Sequence, residues 1–271
     1  MGTRRVRRAY EKFGLKHVLL RGLEFFLLQT RLTATLYWST FPKWYQWRYS
    51  RELRRYDESL RAFDLYYIDP KQVRRVTPRG RPSDGILNDI GSVIGGRWDQ
   101  QRCEPDEYSL FYHNRICDTL LYQAIEARYR YGREWEGTKF YRTVATIVDE
   151  GKSEWHGCTS IEDINRKCTY VDRLYESIRK EGYKTQLELR DSRPSLDEPF
   201  GYMNAYLMEV AVDITRDGEF LLVDGRHRLC IAQMLDLNRI PVTIIVRHKK
   251  WMQKVSERPE VDEFELLTNN N

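Results

Sequence analysis

Between Glu219 and Val246 the hydrophobic pattern changes period twice. Phe220 to Val223 is a continuous apolar run set between Asp217-Gly218 and Asp224-Gly225, which predicts a short strand bounded by turns. From Arg226 the apolar positions take helical spacing, with Leu229, Ala232 and Leu235 on one face, and Asn238 and Pro241 end that helix. Val242 to Val246 predicts a second, β-branched strand.

The same reading places strands at Leu65 to Ile68 and, by alternation, at Glu209 to Thr215, and all four strands are expected in one sheet. Ser109 to Gly132 predicts a helix with Leu110, Phe111, Leu120, Leu121, Ile125 and Tyr129 as core positions, and Thr138 to Gly151 predicts another. Ser160 and Asp163 form an S-x-x-D helix start, and a helix over Asp172 to Glu181 stops at Gly182. Ser50 to Phe63 reads as a short charged helix. Thr77 to Gly85 and Arg190 to Ala205 read as loops, and Lys254 to Asn271 as a polar, frayed tail.

Charge divides the chain. Residues 1–61 hold 14 Lys and Arg against 5 Asp and Glu, about +9, so the rest carries about −4 of the overall +5. This basic arm mixes apolar clusters, Val18 to Leu20 and Phe25 to Leu28, with Lys16, Arg21 and Arg31. No apolar run reaches the ~20 residues of a spanning helix, and no cleavage site follows a clean apolar core. An amphipathic arm of this kind docks on its own domain, lies on a membrane surface or meets nucleic acid. The docked form is expected here, with most of Phe25 to Leu28 buried against the helical insertion at 86–165 and Arg4 to Arg8 left free. Trp38 to Arg48 interleaves three tryptophans with basic residues, which suits a packed helix corner, a membrane interface or base stacking. Five cysteines with no C-x-x-C pair point to a reducing, cytoplasmic setting, peripheral at the membrane if the arm binds there.

Candidate chemistry gathers where the strand meets the helix. A helix that begins directly after a strand leaves its first amides unpaired and carries partial positive charge there. Gly225 allows close approach to the backbone, and Arg226, His227 and Arg228 add donors, so Asp224 to Arg228 forms a phosphate or carboxylate cradle. The plain alternative is a β-turn-α corner with solvated arginines and Asp224 as a cap. Gly95-Gly96 is not a Walker loop, since no Gly-Lys-Ser/Thr follows, and Asp99 beside it is a candidate acid or metal ligand. His156, Cys158 and Cys168 have the chemistry of zinc ligands but match no common zinc spacing, so no metal site is assigned.

The stretch VDGRHRLCIAQMLDLNRIPV resembles the signature of the ParB/sulfiredoxin-like superfamily, a G-x-[HR]-R box opening a helix. LYESIRKEGYKTQLEL, Leu174 to Leu189, resembles that family's helix-Gly-x-x-Gln-strand segment through Ser177, Ile178, Gly182 and Gln186, and Leu65 to Ile68 with Asp69-Pro70 resembles its opening strand. The two motifs cover roughly a third of the chain, about Asp172 to Trp251. The resemblance implies an α+β fold, a small mixed sheet with surrounding helices. Here it would be built as a helical arm (1–63), a domain (64–251) with a helical insertion at about 86–165, and a polar tail (252–271).

Members of this family bind nucleotide phosphates at the box. The chromosome-partition branch binds CTP and adds a helix-turn-helix, for which little chain follows Val246. Sulfiredoxins carry a reactive cysteine where Arg226 stands. The free-serine-kinase branch, with D-G-H-H-R-like boxes, is matched best by Asp224, Gly225, His227 and Arg228. The implied function is an NTP-binding phosphotransferase or NTPase, using ATP or another NTP with Mg2+. Gly225, Arg226, His227 and Arg228 would hold the phosphates, with Gln186 near the nucleotide. Asp224 would act as base or magnesium contact, His227 as phosphate donor or proton relay, and Arg228 would neutralise transferring charge. A small-molecule acceptor is implied but not named. The alternatives are a nucleic-acid-binding or nuclease protein, and a membrane-surface adaptor, bound through residues 1–61, with an inactive phosphate site.

Overall fold

The structure, a computed structural model, describes residues 19, 22–23, 26–28, 30–191, 202–258 and 260–269. In chain order the elements are helix α1 (Arg31–Tyr49), strands β1 (Leu65–Ile68), β2 (Arg75–Val76) and β3 (Ser92–Ile94), then helices α2 (Leu120–Tyr129), α3 (Lys139–Asp149), α4 (Ile161–Glu181), α5 (Gln186–Asp191) and α6 (Tyr202–Leu207). Strands β4 (Val210–Ile214) and β5 (Phe220–Asp224), helix α7 (Arg226–Met234), strand β6 (Ile240–His248) and helices α8 (Lys249–Ser256) and α9 (Glu263–Asn269) complete it. This is the expected α+β class.

The four expected strands share one mixed sheet, ordered β1-β6-β4-β5-β2. β6 runs parallel to β4, and β4 antiparallel to β5. The outer edge of β6 is divided: β1 pairs antiparallel with Ile240 to Thr243, and β3 pairs parallel with Val246 to His248. Every residue of β4 and β6 is buried, as a central strand covered on both faces requires.

Two buried ionic groups fasten the sheet. Asp213 on β4 accepts from Arg79 Nε at 2.9 Å, Thr77 Oγ1 at 2.6 Å and the Val246 amide at 3.2 Å. Glu263 on α9 accepts from Arg247 Nε at 2.9 Å, Trp251 Nε1 at 3.0 Å and Tyr66 Oη at 2.9 Å. The C-terminal segment is therefore packed rather than frayed, with Leu266 and Leu267 buried beside Glu263.

Several local expectations change for identifiable reasons. Ser50 to Phe63 is not a helix beyond a single turn at Leu53–Arg55. The stretch 86–165 is not wholly helical, since it supplies β3. Ser109 to Thr119 is irregular because the Asp106 carboxylate gathers the amides of Leu110, Phe111 and Tyr112, at 2.5, 2.8 and 3.1 Å. The helices expected to either side of Val171 are one helix, α4, started by Ser160 accepting from the Asp163 amide and ended at Gly182. Gln186 begins a helix instead of a strand. Thr185 Oγ1 accepts from the Glu188 amide at 3.2 Å while the Glu188 carboxylate accepts from the Thr185 amide at 2.6 Å, a reciprocal capping box.

The inner face of α1 packs on α6 and Phe63. Tyr37 and Tyr45 are fully buried there, and Tyr45 stacks on Tyr202 at 5.9 Å. Gly91 fits under the end of this helix, where a Cβ would lie 2.3 Å from the Tyr49 carbonyl oxygen. Of the cluster expected to be buried, Leu28 is buried, Phe26 is exposed, and Phe25 lies outside the described residues, as do Val18, Leu20 and the arginines at 4–8. Among the described residues no helix is long and apolar enough to cross a membrane.

Candidate functional site

The turn from β5 into α7 opens onto a cleft of about 520 Å³. Its floor is Asp224 to Arg228, one wall is Phe111-Tyr112 with Glu154 to His156, and the other is the inward face of α4. A second hollow, about 360 Å³, adjoins it across Tyr170, Leu174, Gly225 and Arg228, and is lined further by Ser177, Ile178, Tyr183, Gln186 and Glu209. The two segments singled out in the sequence thus line two lobes that meet at the start of α7.

Gly225 holds φ +86°, and a Cβ there would lie 2.8 Å from Val210 Cα. The glycine is required by the close passage of β4, a packing reason in addition to any approach by a ligand. Gly225→Ala is expected to destabilise the fold by about 2 kcal/mol or more, measured by denaturant unfolding, because it combines a left-handed backbone with a contact to main chain.

The three side chains that follow are held in different ways. Arg226 is fixed by its surroundings: Nε donates to the Phe111 carbonyl at 3.0 Å, and the guanidinium lies over the Tyr112 ring at 4.1 Å. Arg81 lies over the same ring at 4.7 Å. The Asp106-bound loop sets this contact, since it aims the Phe111 carbonyl and the Tyr112 ring. Asp224 lies 3.6 Å from Arg226 and accepts from the Gly225 amide at 2.8 Å.

His227 accepts from Trp155 Nε1 at 3.2 Å through Nε2, which leaves Nδ1 to carry the hydrogen of the neutral ring. Burial, then the nearby His156, Arg226, Lys167 and Arg228, push its pKa down to about 3. At neutral pH His227 is a neutral donor.

Arg228 donates to Glu209 Oε2 at 3.3 Å, and Glu209 is 1% exposed. The other oxygen of Glu209 accepts the Gln186 amide at 2.5 Å. Burial raises the Glu209 carboxyl to about 7, against the lowering effects of that amide and of Arg228. Gln186 lines the second lobe with its amide bound to Glu209.

Residues that the sequence reading did not assign to the phosphate cradle complete the cleft. Trp155, His156 and Gly157 have successive φ values of +44°, +60° and +89°, in a tight turn closed by paired Glu154 and Cys158 amides. Two consecutive non-glycine residues in this region are strained, and here the strain presents His156 to the cleft mouth. Trp155 is backed edge-on by Phe140 at 4.9 Å. From α4 come Lys167, Tyr170, Val171, Leu174 and Ile178, one helical stripe. Lys167 has no ion pair among the described residues. The signal was present in the sequence: a lysine heads an otherwise apolar stripe.

No family model, curated protein or solved structure matches the chain. The chemistry of the cleft therefore rests on its own geometry.

Other candidates fall away. Asp99 is 4% exposed and accepts from Arg216 Nε at 2.8 Å. Burial pushes its carboxyl up, and the Arg216 bonds outweigh burial and hold it below the usual range. It is a structural partner of Arg216 and not an available acid. His156, Cys158 and Cys168 do not come together as ligands. Among the described residues no group of three or more His, Cys, Asp and Glu side chains is arranged to hold a metal ion.

Proposed function

We propose that the cleft binds a nucleotide, with its phosphates at the start of α7 and its remainder along the α4 stripe in the second lobe. The observation that carries this reading is the meeting of the two lobes at Gly225 and Arg228, with Lys167 facing the same space. The amides of Arg226, His227 and Arg228 belong to the first helical turn, where the intrahelical ladder supplies no acceptor. The helix dipole, Lys167 and the neutral His227 donor favour an anion at that point. The second lobe, with Leu174, Ile178, Leu189 and Leu207 beside Gln186 and Ser177, offers an apolar floor with a few polar groups, as a flat base requires.

A phosphotransferase or NTPase step is the activity we assign to this site. Asp224, a half-exposed carboxylate directly before Gly225, is the residue we assign as base. A phosphate-bound magnesium ion needs only one or two protein carboxylates, and Asp224 and Glu154 line the same lobe. In this reading Arg226 and Arg228 act mainly by shaping the site, because each already has a protein partner. Residence at a membrane surface is a separate matter, governed by α1 and not by the cleft.

Lys167 provides the cleaner test, since its removal strands no buried partner. Lys167→Ala is expected to weaken nucleotide binding by about 10-fold or more, the effect of one charge-assisted contact. The measurement is thermal shift across a panel of NTPs with and without Mg2+, followed by titration. The absence of any nucleotide-dependent shift, or unchanged affinity in a folded Lys167→Ala protein, would sink the reading.

A further inference from the structure

The outward face of α1 is the largest feature that the cleft leaves unexplained. Leu32, Leu36, Thr40, Lys43 and Trp47 recur at spacings of three and four, so they form one stripe. Leu32 is 82% exposed, Leu36 58% and Trp47 58%, with Trp44 at the stripe's edge 41% exposed. The opposite face is locked by Tyr37 and Tyr45, so the stripe is held outward by a packed core. Upstream, Leu19, Leu23 and Phe26 repeat the same spacing and are also exposed. So many exposed large apolar side chains on one side of a helical segment, interrupted only by Thr40 and Lys43, are unusual on a protein surface that stays in water.

The polar residues around it identify the occupant. The 19 residues of α1 include no Asp or Glu. Lys43 and Arg48 are exposed on the helix, Arg51 and Arg55 just beyond it, and the first 61 residues carry about +9. A protein groove that received this helix would need its own acidic rim. An anionic bilayer supplies negative charge and an apolar layer together. Tryptophans at the edge of an apolar stripe and cations beside them are the arrangement that lies in the headgroup region.

We propose that this face of α1 binds the surface of an anionic lipid bilayer and holds the chain there, with the helix parallel to the membrane plane. The cleft has no part in this contact, so the proposal stands or falls independently of nucleotide binding.

The test is co-sedimentation of the full chain with phosphatidylcholine vesicles, with and without phosphatidylserine. The chain is expected to pellet with the phosphatidylserine vesicles and to be released by salt, since exposed charges are screened. Leu36→Glu and Trp47→Glu should each lower retention by about 10-fold, because each puts a carboxylate into the apolar layer and beside anionic lipid. Both positions are exposed, so circular dichroism should match the parent. Tyr131→Glu, at an aromatic that is 75% exposed elsewhere, is the control and should bind as the parent does. Absence of retention overturns the proposal, as does equal retention of the two stripe variants. A concentration-dependent dimer that Leu36→Glu abolishes, in a chain that ignores vesicles, would assign the face to a second copy instead.

Discussion

Replacing Glu263 with alanine is expected to lower the stability of the fold by about 3–5 kcal/mol, among the largest effects of any single change. Glu263 and Arg247 are each 1% exposed, and the carboxylate also binds Trp251 and Tyr66. Removing it leaves a guanidinium in the core with no counter-charge, and one of its nitrogens, Nη1, already lacks a partner. The effect is not local to the C-terminal helix. The same carboxylate joins β1, β6, α8 and α9, so the loss should appear in the cooperative unfolding transition. Urea titration followed by tryptophan fluorescence checks this. A loss below about 1 kcal/mol would mean that Arg247 finds water once α9 shifts.

Arg228→Ala should show a loss of stability that grows with pH. Glu209 is raised to about 7 in the folded chain, above its ordinary 4.5. The folded state therefore binds the proton more tightly, and the contribution of this group to stability falls as pH rises from about 4.5 through 7. Without Arg228 the carboxyl moves higher still, because the nearby positive charge was holding it down. At pH 5.5 the variant keeps Glu209 protonated at modest cost. At pH 8 it must bury a lone carboxylate or unfold locally, and the difference from the parent should reach about 3 kcal/mol. The double change Arg228→Ala with Glu209→Gln should remove most of that pH dependence. Denaturant midpoints at the two pH values decide it, and a pH-independent loss in the single variant would show that Glu209 is not its source. Nucleotide affinity in Arg228→Ala has to be read beside these data, since one substitution alters both the ligand site and the support beneath it.

The join of β5 and α7 was legible because two periods abut there: a continuous apolar run gives way to helical spacing at a turn that needs glycine. The four longer strands were legible for the same reason. The short strands β2 and β3 were not, since two or three residues carry no period, and their assignment comes from partners distant in the chain. At Gln186 the local signal favours a helix, since Thr185 and Glu188 form a capping box, and this local signal prevails over the strand that the family resemblance implies.

Within the cleft, Asp224 to Arg228 and Gln186 were found from sequence because they lie in compact motifs. What the motif could not convey is how much of its charge is already engaged. Arg226 is bound to the Phe111 carbonyl, and Arg228 to a carboxylate 19 residues earlier in the chain. Lys167 and Trp155 were not singled out, and His156 was considered only as a metal ligand, because they reach this cleft from α4 and a strained turn distant in sequence from the box.

The divided edge of β6 bears on how the chain leaves the ribosome. β1 and β3 both pair with β6, so neither has a strand to pair with until β6 is made, whereas β2 already meets Arg115 in an isolated bridge. Leu65 finally faces Thr243. At ~5–20 residues per second, that gap in translation lasts on the order of ten to thirty seconds. For that time Leu65 to Ile68 and Ser92 to Ile94 lack the strand that satisfies their main-chain groups in the folded sheet. The step that closes this window is the release of Ile240 to His248 from the exit tunnel.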